Sequence, residues 1–322
     1  MIELSDEERF IAQIFMPENL ERTENFFQNH GKFAHYTSAE TAFRIIQSKK
    51  VWMRNAVTMN DFSEIIYGEQ CLSPLFQQEE IGGKLGAFLN SIQAGVTEEL
   101  SAKFNLYLPH LKNHTYLTSM SEHDEGEDVY GRLSMWRAYA PKNGVALVIN
   151  HHPFAEATER LKANSSPVSY FTEEQFSENY KQIVERVTAN GAFFSEIPRE
   201  YLVSVILNWL KYSLLCTKHP GFREEREWRV IYSPTVEVSP AIEECIEIVA
   251  GVPQEVHKIP LENREESGLV GADLGELLHR IIIGPSEDAF TIKCAFVKLL
   301  SGLRIEGADA KVVISNIPLR TF

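Results

Sequence analysis

Residues 32–53, KFAHYTSAETAFRIIQSKKVWM, read as strand, helix and strand in immediate succession. Gly31 precedes a short strand over residues 32–36. Ser38 then stands where an N-cap belongs, and the helix it opens runs through Lys49. Ala42, Phe43, Ile45 and Ile46 fall on the buried side of that helix, and Lys49 and Lys50 suit its negative C-terminal end. Val51, Trp52 and Met53 begin a second strand.

The rest of the chain extends this pattern without a regular βαβ alternation. Residues 5–16 predict a short helix with Ile11, Ile14 and Phe15 on one face. Asn60 or Asp61 can cap a helix running towards Leu72, with Pro74 as its stop, and residues 80–112 read as a longer helical stretch. A β-like run over 115–120 leads into an acidic loop, SEHDEGED at 121–128, and a short helix over 133–139. GVALVI at 144–149 is a continuous apolar run and reads as a central strand. After a strand at 168–171 come helices near 173–190 and 198–217, the second broken by His219-Pro220-Gly221. Strands follow at 227–232, 246–249 and 280–283, then a helix at 289–303 and a closing strand at 311–315. Such interspersion predicts an α+β fold with a mixed, largely antiparallel central sheet and helical insertions at about 60–112 and 173–217. Residues 1–30 read as an N-terminal helical extension and 31–322 as one domain.

Composition narrows the function classes. A net charge of -14 argues against a dedicated nucleic-acid binder. Cys71, Cys216, Cys245 and Cys294 are widely spaced, without a CxxC pair, which predicts reduced, mostly buried thiols in a cytoplasmic protein. The acidic start MIELSDEERFIAQIF lacks the basic region of a signal peptide, and no apolar run suits a membrane span. The Gly-Lys pairs at 31–32 and 83–84 lack P-loop spacing, and neither G-x-S-x-G nor HExxH occurs. No metal is expected.

Three polar stretches sit in apolar company. His35-Tyr36-Thr37-Ser38 lies where a strand ends and a helix begins, a place where unpaired backbone N–H groups receive ligands. Asn60-Asp61-Phe62-Ser63-Glu64 puts two carboxylates three apart on one helix face, able to bind a metal, orient a base, pin an Arg or cap the helix. In Phe222-Arg223-Glu224-Glu225-Arg226-Glu227-Trp228-Arg229, alternation places Glu225, Glu227 and Arg229 on one face and Arg226 and Trp228 on the other.

Taken in order, HYTS, VWM, MNDFSE, TSMSE, SMWRAYAPKNGVALVI, FREEREWRVIY and RIIIGP resemble the bacterial domain of unknown function 2971 family over about residues 33–285. The likeness gathers His35/Tyr36, Asn60/Asp61/Glu64, Ser119/Ser121/Glu122, Trp136/Tyr139/Gly144/Val145 and Phe222/Glu225/Glu227/Arg229. A looser resemblance, a strand ending in His followed at once by a helix and strand, is to ADP-ribosyltransferases. It implies NAD as substrate, Glu227 and His35 as catalytic residues, and Tyr139 or Tyr36 as the stacking ring, with Glu225 competing with Glu227 for the late carboxylate. Tyr36, Thr37, Asn60, Asp61, Glu64, Trp136, Tyr139, Glu225 and Arg229 would then form the surrounding binding site. The expected partner is a small nucleotide, with a protein or nucleic-acid acceptor and no membrane. The alternatives are a non-catalytic nucleotide- or small-molecule-sensing module in phage defence or stress response, a metal-dependent phosphodiesterase using Asp61 and Glu64, and an interaction protein whose polar residues are architectural.

Overall fold

The strand–helix–strand of residues 32–53 is present in the computed structural model as β1 (Lys32–Ser38), the helix Ala39–Ser48 and β2 (Lys50–Asn55). The structure describes residues 4–58, 62–77, 82–140, 142–151, 161–249 and 251–318. Ser38 caps the helix by accepting the Thr41 N–H at 3.1 Å, and the helix ends with Lys49 in the left-handed region. Further strands are β3 (Tyr116–His123), β4 (Gly144–Asn150), β5 (Asn164–Pro167), β6 (Ser169–Tyr170), β7 (Thr217–Lys218), β8 (Glu227–Tyr232), β9 (Glu243–Val249), β10 (Val252–Pro260), β11 (Leu278–Ile283) and β12 (Val312–Ile314).

The main sheet runs β12-β11-β4-β1-β3-β2-β10-β9, with β8 on β3 and β5 on β8. All its described pairings are antiparallel except β11 with β12. β6 and β7 form a separate parallel pair. The fold is α+β, as the interspersed elements predict.

β3 organises the site. One of its edges pairs with β8 from Tyr116 to Ser121. The other edge is shared: β2 takes Tyr116 and Leu117, while β1 takes Ser121, Glu122 and His123. Among the described residues, 118–120 have no strand paired to this edge, so the sheet is split there. β1 instead follows β4 as far as Ser38.

Alternation along β3 and β8 fixes the two faces. Leu117 and Ile231 point into a core with Ile65, Leu72, Ile206 and Leu214, from the helices Phe62–Gln77 and Arg199–Leu215. Ser119, Ser121, Glu227 and Arg229 share that face. Met120, Trp228 and Val230 point the other way, packing with Phe33 and Met53. β8 is buried along its whole length, because β3 and β5 flank it and both faces are covered.

Several boundaries differ from expectation. Pro74 lies inside the helix Phe62–Gln77 and does not stop it. A proline there forfeits one backbone bond, but Cys71, Leu72 and Leu75 continue the buried face across it. The stretch 80–112 is two helices, Gly82–Ile92 and Val96–Asn113, separated where Gly95 takes a φ of 79°. Ser121, Glu122 and His123 extend β3 instead of opening the acidic loop. The helix Pro17–Gln28 falls within the expected helical extension and buries Leu20 and Phe27, whereas the strand β10 carries no clear periodic signal.

The first two helices are fastened to the body. Arg22 donates to Glu122 at 2.6 Å and to the Val168 carbonyl at 2.9 Å, and Arg186 donates to the Ile14 carbonyl at 2.8 Å. Cys71 and Cys216 are buried, Cys245 is half-buried and Cys294 exposed, so burial of the free thiols holds for only two of them. Among the described residues no helix is long and apolar enough to cross a membrane.

Candidate functional site

A cleft of about 590 Å³ opens at the split in the sheet. Its floor is residues 118–121 of β3, and one wall is β1 with the first two turns of the helix Ala39–Ser48. The opposite wall is β2 and the β9–β10 turn at Ile248, Val249 and Gly251. Tyr139, Glu225 and Glu227 close the inner end.

His35 and Glu227, on opposite faces of β3, are linked through one residue of the cleft floor. The His35 Nδ1 lies 3.0 Å from the Ser119 carbonyl, and the Ser119 hydroxyl donates to Glu227 Oε1 at 2.6 Å. The carbonyl is available because the split leaves it without a strand partner. Ser119 thus uses its backbone for one expected residue and its side chain for the other.

Glu227 is 5% exposed and held by two buried cations. Arg229 Nε donates to its Oε1 at 2.8 Å, and Lys218 Nζ donates to its Oε2 at 3.1 Å. Lys218 also binds Glu64 and Glu225, each at 2.6 Å, and Arg229 bonds Glu64. Three carboxylates therefore face two cations, leaving one net negative charge. A lysine and an arginine with 1% and 0% exposed side chains are tolerable only when paired in this way.

Local structure explains the convergence. Thr217 and Lys218 leave the helix Arg199–Leu215 and pair with β6, which sets Lys218 beside the start of β8. The breaker His219-Pro220-Gly221 begins a tight turn, in which the His219 ring accepts the Gly221 N–H at 3.1 Å. Arg226 ends the turn at a φ of 44°, and the residues on either side of it, Glu225 and Glu227, both reach Lys218. The Glu227 N–H is anchored on the Tyr170 hydroxyl at 2.9 Å.

The charges tune each other. Burial alone would raise the Glu227 pKa, but Arg229 and Lys218 overcome it and hold the carboxyl at about 2. Burial raises the Glu225 pKa, and Lys218 and Tyr139 only partly reverse this. Burial would lower the Lys218 pKa, but Glu227, Glu64 and Glu225 push it up. His35 is shifted down by burial, against the Ser119 carbonyl, so its ring is neutral near pH 7. The inner end thus holds an ionised carboxylate beside a second one with a greater affinity for a proton, the pattern that separates electrostatic from proton-transfer roles.

Six expected residues line the cleft: His35, Tyr36, Thr37, Tyr139, Glu225 and Glu227. Both late glutamates face it. Glu64 is the carboxylate that pins an Arg, since Lys218 and Arg229 take its two oxygens. Arg229 and Trp136, expected as ligand contacts, are supports instead, both wholly buried. The Trp136 indole donates to the Tyr130 carbonyl at 2.8 Å and meets the Tyr36 ring edge-on at 4.8 Å. Tyr36 is mostly buried too, its hydroxyl accepting the Arg132 N–H at 2.8 Å, whereas Tyr139 is 42% exposed and donates to Glu225. Asn60 and Asp61 lie outside the described residues. Among the described residues no group of three or more His, Cys, Asp or Glu is placed to hold a metal ion.

Lys218 is the residue sequence reasoning missed, and its signal is a lone cation in the apolar stretch LLCTKHP at 214–220. Ser119 is gathered by the family likeness, but its role as a link shows only when β3 and β8 are paired. Arg44, Trp52 and Arg54 line the outer part of the cleft; Trp52 lies in the VWM motif, while the two arginines were unmarked.

Residues 135–230 match the model of a family described as Protein of unknown function (DUF2971). The matched stretch contains Trp136, Tyr139, β4, Lys218, the turn bearing Glu225, and β8 as far as Val230. The resemblance read from the motifs is therefore shown for this stretch. No curated protein and no solved structure matches the chain. The likeness to ADP-ribosyltransferases is not among the matches.

Proposed function

We propose that the cleft binds NAD and promotes breakage of its nicotinamide–ribose bond, passing the ADP-ribosyl group to water or to an acceptor. The observation that carries this reading is the link from His35 to ionised Glu227 through Ser119 in one ligand-sized cleft. When the C1′–N bond breaks, nicotinamide leaves with the bonding pair and the sugar becomes an oxocarbenium ion. A net negative cluster in a water-poor pocket stabilises that charge. Glu227 stays ionised because Arg229 and Lys218 hold it so. An acceptor O–H then bonds to C1′ and gives up its proton, for which Glu225 is the better base. Tyr139, the more exposed ring, would stack on the leaving base. Arg44 and Arg54 at the outer end suit the diphosphate.

The second reading is a module that binds a nucleotide without turning it over. Both oxygens of Glu227 already have protein donors, and this favours it.

The test is nicotinamide release from NAD by purified protein, with and without cell lysate, beside Glu227→Gln. Release by the wild type and a loss of at least about 100-fold in the variant, the scale of losing one electrostatic stabiliser, supports the proposal. No release in either condition, with saturable NAD binding by calorimetry, leaves the binding module. Neither release nor binding overturns both.

A further inference from the structure

The cleft does not stop at the sheet. His35, Ile45, Val51, Thr118 and Met120 line it on the face away from Glu227, and the same five residues line a second chamber behind the split. That chamber measures about 90 Å³ and lies where two hydrophobic cores fail to meet. One core is built on Phe33, Met53 and Trp228, the other on Ile46, Leu147 and Phe296. The chamber wall is aliphatic, with His35, Thr118 and Ser165 its only polar residues and no charged one among the described residues.

We infer that this chamber is a binding compartment for a short aliphatic group, entered from the cleft through the gap between β1 and β2. It goes beyond the NAD reading and does not depend on it. Interiors pack at nearly crystalline density, so a void of this size in an aliphatic core is a departure from the ordinary. A void lined by such side chains stays dry and accepts apolar guests; an engineered cavity of about 150 Å³ takes benzene. Scaled to that case, this one takes roughly three to five carbons. The occupant is the aliphatic end of a small molecule whose polar end stays in the cleft, because the two spaces adjoin at His35 and Thr118. His35 is the partition: a neutral ring there contacts an alkyl chain without the cost of burying a charge.

The probe is a series of straight-chain alcohols from propanol to octanol, titrated into the full-length protein with methyl-labelled Ile and Met. Resonances of Met120, Ile45 and Ile259 should shift saturably, and the His35 ring should shift with the same Kd. Affinity should rise about fourfold per added methylene, which corresponds to 0.8 kcal/mol, and level off near pentanol. Ala272→Leu and Ala163→Leu should fill the space, weaken pentanol binding at least tenfold and leave the melting temperature unchanged or higher. No saturable shift, or no dependence on chain length, overturns the inference. Binding that survives both substitutions in folded protein overturns it as well. Should one variant fail to fold, the other and the wild-type series still decide. None of these readouts uses NAD, so failure here and failure of the NAD reading are separable.

Discussion

Two ionic clusters flank the start of β8, and one short segment feeds both. Glu225 and Glu227 turn into the buried cluster with Lys218, Arg229 and Glu64. Arg226, between them, turns outward to Asp124 and Glu127 at the rim. The rim cluster continues through Arg132, bonded to Glu127 at 2.8 Å, and His123, bonded to Asp128 at 2.9 Å. Composition hardly separates the two groups; burial does, with His123 the one sealed member of the rim. Lys218 and Arg229 are sealed, whereas Asp124 is 65% exposed. Buried charges in low dielectric act on one another and on a ligand, while exposed ones are screened by water and salt. Position, not the number of charges, therefore separates a site from a surface. Arg132 spans the divide, donating to Ser121 at 2.6 Å and the Glu225 carbonyl at 3.2 Å as well as to Glu127.

The sharpest way to break this contrast is Lys218→Met, which leaves three carboxylates with Arg229 alone. It should cost about 3–5 kcal/mol, the scale for orphaning a buried charge. Denaturant unfolding at pH 7 measures it, and the cost should shrink in acid as the orphaned carboxylates take up protons. An effect below ~1 kcal/mol would reduce the cluster to the rank of its exposed neighbour.

Acid titration comes next. The folded pKa of Glu227 lies below its unfolded value, so its stabilisation is complete above the unfolded value and is lost as pH falls from 4.5 towards about 2. The loss is on the order of 3 kcal/mol and should be absent in Glu227→Gln. Glu225 acts with the opposite sign, because its raised pKa means protonation relieves a strain of burial. An acid limb identical in wild type and Glu227→Gln would contradict the assignment.

Tyr139→Phe removes the bond to Glu225 and should cost about 1 kcal/mol. It should also raise the Glu225 pKa further, which carboxyl NMR titration can follow. The smallest effect belongs to the rim. Asp124→Asn should change stability by less than ~1 kcal/mol and by nothing measurable in 1 M salt.

Parts of this arrangement were legible in the sequence. GVALVI declared a strand because both of its faces are buried, and the alternation of Glu227 and Arg229 about Trp228 declared their common face, while Glu225 reaches the same cluster from the turn that precedes β8. Ser38 announced its helix by capping chemistry. The split itself left no trace, since it is a property of which residues of β3 pair with β1 and which with β2. Lys218 belongs to a two-residue strand, too short for any period. β10 was hidden by VPQEVHKIP, whose two prolines and mixed polarity match neither strand alternation nor helix spacing. The acidic run at 121–128 suggested a solvated loop, but its first three residues pair with β1 and carry His123 into the interior.

On the proposed reading the cleft at the split, and not the charged rim, receives the ligand. The most direct measurement is NAD titrated into isotopically labelled protein, with backbone amides followed by NMR. Saturable shifts, with one Kd, are expected at His35, Ser119, Tyr139 and Glu227, while Asp124 and His279 stay still. Shifts centred on Asp124 and His279 with the cleft amides unmoved, or no saturable shift at all, would contradict that reading.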